Sequence, residues 1–101
     1  MKHLNECAGS INDEVPGFVF VEAADNWVTF YMDGNWCQAK VFMEKSTYGI
    51  KNGRVSKLAI IKGERNPSEP FFEQCIYNYD RGLDFNNGAG EILKKILKVF
   101  A

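Results

Sequence analysis

Histidine is almost missing from this chain: His3 is the only one in 101 residues. A Ser/His or Cys/His relay needs its base held rigidly, and His3 sits in a ragged N-terminal stretch, so nucleophilic catalysis is not expected. Cysteine is sparse and odd in number. Cys7, Cys37 and Cys75 are too far apart for a C-x₂₋₄-C knuckle, and no disulfide framework or zinc site is expected of them. Cys37 and Cys75 instead fall in strand-like segments, where free cysteine packs as a small hydrophobe. Charge of one sign is also missing: the net charge is −1 with a pI near 5.8, which argues against holding nucleic acid by bulk electrostatics. No apolar run approaches the roughly 20 residues that cross a bilayer, and no secretory h-region follows Met1. With no G-x-x-x-x-G-K-[ST] or G-x-G-x-x-G sequence, no cofactor is implied. The expectation is a reduced, cytoplasmic, single small domain with no membrane contact.

What is present is strand pattern first. Residues 1–15 lack a period and read as a loosely packed arm. After Pro16-Gly17, Phe18–Ala23 is β-branched and aromatic, and Asp25-Asn26 breaks it. Asp33-Gly34 is a type I′ hairpin signal, because both central residues need φ > 0. That turn sets Met32 against Asn35, Tyr31 against Trp36, Phe30 against Cys37 and Val28 against Ala39. Alternation then puts Val28, Phe30, Cys37, Ala39 and Val41 on a core face. The opposite face carries Trp27, Thr29, Tyr31, Trp36, Gln38, Lys40 and Phe42.

Asn52-Gly53 repeats the hairpin signal and sets Lys51 against Arg54 and Ile50 against Val55. The following strand, 54–62, is apolar on both faces and reads as central. A polar loop spans 63–70, and 71–79 is a further strand that exits through Asp80-Arg81-Gly82. Only the last segment has helical period: Ile92, Leu93, Ile96, Leu97, Val99 and Phe100 form one stripe, with Glu91, Lys94, Lys95 and Lys98 opposite. Asn86 or Asn87 is placed to cap it. The fold class is therefore α+β: an antiparallel sheet of four to five strands within 18–79, covered on one face by a helix at 89–100.

Three constellations carry the polar chemistry. Asp80 and Asp84 flank Arg81 and Gly82; a hydrolytic dyad would need a raised carboxylate pKa in an apolar pocket, and Arg81 works against that. A structural turn, with Gly82 supplying φ > 0, is the plainer account. Gly49, Gly53, Arg54, Ser56 and Lys57 hint at a phosphate cradle, but no helix starts after them. The aromatic face of the hairpin, Trp27, Tyr31, Trp36 and Phe42 beside Lys40, is either a second core face or, if exposed, an interaction surface or homodimer seam.

The stretch Tyr48-Gly49-Ile50 … Gly53-Arg54-Val55-Ser56-Lys57-Leu58, followed by Tyr77-Asn78-Tyr79-Asp80-Arg81-Gly82-Leu83-Asp84, resembles a small domain-of-unknown-function family of Firmicutes and their phages or other mobile elements. The resemblance runs from about Trp36 to Asp84, and Leu83 stands where that family favours Trp. It implies a context in which small proteins block a host factor, and so a non-enzymatic, anti-CRISPR-like inhibitor of a bacterial defence system that binds a host protein. The expected binding residues are Trp27, Tyr31, Trp36, Lys40, Tyr48, Arg54, Lys57, Tyr79, Asp80 and Arg81. The rival expectation is a small-ligand or nucleotide site built from Tyr48, Arg54, Lys57, Asp80 and Arg81.

Overall fold

The computed structural model describes residues 2–5 and 9–101. Strands β1 (Lys2–Asn5) and β2 (Gly9–Ile11) pair as a short antiparallel ribbon. The remaining six strands form one antiparallel meander in chain order: β3 (Phe18–Ala24), β4 (Trp27–Met32), β5 (Asn35–Val41), β6 (Val55–Ile61), β7 (Cys75–Asp80) and β8 (Leu83–Asn86). A one-turn helix α1 (Phe71–Gln74) precedes β7, and α2 (Gly90–Val99) ends the fold. The architecture is α+β, with six strands rather than four or five. The added strand, β8, is short and polar, so nothing in its alternation announces it.

The hairpin at Asp33-Gly34 forms as its turn chemistry demands. Both residues have positive φ, 53° and 78°, and the four expected cross-strand pairs are all present. Register then decides the faces. Val28, Phe30, Cys37, Ala39 and Val41 are fully buried, and α2 lies on their side of the sheet. Phe100, just past the helix, meets Phe30 edge-on at 5.5 Å between ring centroids, and Phe18 packs against both. Burial raises the Cys37 thiol to about 12, and does the same to the Tyr77 hydroxyl.

The N-terminal arm is anchored at its end. Ile11 and Val15 are buried in this core, and the Asn12 amide donates to the Val99 carbonyl at 2.8 Å. Ile11 and Val15 thus belong to the core, although they fall within the stretch expected as a loosely packed arm; Cys7 lies outside the described residues. Helix α2 begins without a side-chain cap, although Asn86 Oδ1 accepts from the Ala89 amide just before it.

The second hairpin signal misleads. Residues 50–52 form a 3₁₀ turn, with Lys51 and Asn52 at positive φ and Gly53 extended at −99°. No strand precedes the turn, because residues 43–49 offer no alternating apolar partner for β6. Strand β5 pairs with β6 directly instead, up to Val41 opposite Val55, and 42–54 becomes a long connection. Gly49 is needed here: a β-carbon would come within 2.0 Å of the Gly53 carbonyl oxygen. Residues 71–74 likewise turn helically rather than extending β7.

Candidate functional site

With α2 on one side, the other face of the sheet is covered only in part. Its residues stand in rows that cross the strands. One row runs Tyr31, Trp36, Ile61, Cys75; the next Thr29, Gln38, Ala59, Asn78, Phe85; the last Trp27, Lys40, Lys57, Asp80. These rows define a sealed end and an open end.

At the sealed end, Trp36 is only 8% exposed. The Phe71 ring from α1 meets it edge-on at 5.9 Å, and the Arg65 guanidinium lies 5.1 Å from the Trp36 ring centroid and 5.0 Å from that of Phe71. Ile61 and Cys75 complete this small second core. Tyr31 borders it and donates its hydroxyl to Glu64 at 2.7 Å; that bond, first of all, raises the tyrosine pKa. Trp36, expected as a surface anchor, is therefore a packing residue, because the 63–74 connection folds back over it.

At the open end, Trp27 is half-buried, and two ammonium groups converge on its ring: Lys40 Nζ at 5.7 Å and Lys57 Nζ at 5.9 Å from the centroid. Lys40 also lies 5.7 Å from the Phe42 ring. Lys57 pairs with Asp80 at 3.6 Å, and Arg81 approaches the same carboxylate at 4.0 Å. Lys40 has no carboxylate partner among the described residues. Between the two ends lies a cleft of about 180 Å³ walled by Trp27, Phe71 and Phe72 and floored by Ala59 and Asn78. Phe72 is 66% exposed on its rim.

Around the corner from Trp27, a larger hollow of about 560 Å³ opens between Phe42, Tyr48 and the side chains of Lys40, Lys45, Lys57 and Arg81. The Arg81 turn that borders it is pinned, since the Arg81 amide donates to the Ser56 carbonyl at 2.8 Å. The left-handed residue in this turn is Arg81, at φ 55°, and not Gly82. Tyr79 acts as a brace, donating its hydroxyl to the Tyr48 carbonyl at 2.9 Å.

Arg54 leaves the expected cluster altogether. It is 7% exposed, and its Nε donates to the Phe100 carbonyl at 3.1 Å, at the C-terminal end of α2. Burial lowers its pKa, and the cation answers the negative end of the helix. Lys57, Asp80 and Arg81 do come together; Arg54 does not join them. Asp84 is exposed on β8. The residues that the sequence pattern does not single out are Phe71 and Phe72, which the expected strand 71–79 would set on opposite faces and the helical turn brings side by side. The signal was Pro70, which suits the start of a helical turn.

One comparison places this arrangement. A family profile described as Domain of unknown function (DUF7678) matches residues 26–101. The chain belongs to that family. The DUF7678 match starts one residue before β4 and runs through α2, so it takes in Trp27 and the whole open face and leaves out β1 to β3. No curated protein and no solved structure matches the chain. Among the described residues, no helix is long and apolar enough to cross a membrane, and no three His, Cys, Asp or Glu side chains gather as a metal site.

Proposed function

We propose that this DUF7678 protein is a non-enzymatic binding protein that docks a partner protein on the open face of its sheet. The reading is carried by the cleft between Trp27 and Phe72. Aromatic walls around a small concavity, on a rigid sheet and beside cations, are the residue types and shape that dominate protein-contact hot spots. The sheet supplies rigidity, so docking costs little ordering of the surface itself. Lys40 and Lys57 at the edge favour an acidic partner.

The finer reading is that the partner is a host factor of a bacterial defence system, the role that a phage or mobile-element setting implies. It rests on the resemblance of the Tyr48–Leu58 and Tyr77–Asp84 motifs. Affinity capture from host lysate tests the proposal. The wild-type chain should retain a stoichiometric protein that Trp27→Ala and Phe72→Ala both release. Equal retention by all three chains, or no retained protein, would count against docking on this face.

A further inference from the structure

We infer that the basic hollow beside the open face is a nucleotide site, taking a flat base together with two or three phosphates. This goes beyond the docking proposal and stands without it. The charge is the first ground. Lys40, Lys45, Lys57 and Arg81 face a space lined by one carboxylate, Glu44, with Asp80 beside it shared between Lys57 and Arg81, in a chain whose net charge is −1. Such a local excess of cations concentrates small polyanions.

Two features of the hollow are unfavourable in themselves. Lys40 and Lys57 stand directly opposite each other on β5 and β6. Like charges so placed repel, and the Trp27 ring and Asp80 offset this only in part. Arg81 holds a left-handed conformation that a β-carbon disfavours, although a glycine is its neighbour in the turn. The hydrogen bond that its backbone N–H donates to the Ser56 carbonyl fixes the turn, and the guanidinium, two-thirds exposed, stays at the rim. A polyanion between these groups would relieve the repulsion and use the arginine bidentately.

Size and walls then name the class. The volume, about 560 Å³, is in the range that takes a nucleotide. Phe42 and Tyr48 are exposed at 39% and 62% and offer ring faces for a base. A bare inorganic anion would leave those rings unused.

Calorimetric titration of the full chain tests this with ATP, pyrophosphate, adenosine and a ten-residue single-stranded DNA. ATP should bind most tightly, pyrophosphate more weakly, and adenosine weakest. Added salt should lower the ATP affinity. Arg81→Gly and Lys40→Met should each lose about ten-fold or more in ATP affinity while the melting temperature holds or rises, since each removes strain or repulsion. A purely structural role predicts the opposite pairing, a lower melting temperature with unchanged binding. No heat with ATP or pyrophosphate at millimolar concentration overturns the inference. So does binding of the oligonucleotide alone, or ATP binding that both variants leave unchanged.

Discussion

Trp27 and Trp36 lie on the same face of one hairpin, two rows apart and indistinguishable by sequence pattern alone, yet Trp36 is only 8% exposed while Trp27 stays half-exposed. Trp36 is closed in by Phe71 and Arg65, which come from a connection far along the chain. Over the Trp27 ring lie two lysine ammonium groups, from β5 and β6. The alternation that places both indoles on one face says nothing about what covers them. Coverage is decided by the 63–74 segment, and it divides the face into a part that holds the fold together and a part left for contact.

The sharpest way to break this division is to remove each indole. Trp36→Ala empties a packed site and should cost about 3–5 kcal/mol, read from urea midpoints. Trp27→Ala removes a half-buried ring and should cost well under half as much. Equal losses would mean that the open end is also core.

Arg54 extends the comparison to cations. It is buried and bonded to the Phe100 carbonyl, whereas the Lys40 ammonium lies over the half-exposed Trp27 and Phe42 rings. Arg54→Met should cost about 1.5–3 kcal/mol, since a charge-assisted bond to a helix end is lost. Arg54→Lys should not restore it, because an ammonium lacks the planar fork. A neutral Arg54→Met would return this residue to the contact surface.

How much of this was legible follows from the same residues. The Asp33-Gly34 hairpin could be read because local turn geometry and long-range register agree there. At Asn52-Gly53 the local signal is equally strong, but no partner strand precedes it, and Ile50 enters the core instead. Turn chemistry fixes a bend and not its context. The helical stripe of α2 was readable from its period, but the face it covers was not: that choice is made by contacts such as Phe30 with Phe100, which no local pattern encodes. The site was half legible: Lys57, Asp80 and Arg81 meet as the motifs suggested. The removal of Arg54 and the covering of Trp36 depend on tertiary contacts across 46 and 35 positions, which no local pattern encodes.

Alkaline pH should probe the helix-covered face through Cys37. Burial raises the Cys37 thiol from its ordinary 9.0 to about 12. In the unfolded chain the thiol ionises first, so the unfolded state binds fewer protons above pH 9.0. Stability is then full below that pH and is lost as pH rises toward about 12. Between about pH 8 and about pH 10 the loss from this group is about 1.4 kcal/mol. Cys37→Ala should flatten that part of the slope in urea titrations, whatever it does to the overall level. An unchanged slope would mean that the thiol is not sequestered beneath α2.

The smallest expected effect is the most discriminating one. Lys40→Met keeps the side-chain stem over Trp27 and Phe42 and removes the charge opposite Lys57. The lost cation–π attraction and the relieved repulsion are each worth a few tenths to about 1 kcal/mol, with opposite signs. Stability should therefore move by no more than about 0.5 kcal/mol, measured by urea denaturation at low salt. If Lys40 were a structural counterpart of Arg65, which packs over Trp36 in the same way, the loss would exceed about 1 kcal/mol and persist in high salt. The same cation–aromatic geometry thus stabilises one end of the sheet, while at the other its repulsive neighbour cancels the gain and leaves the charge available to a ligand.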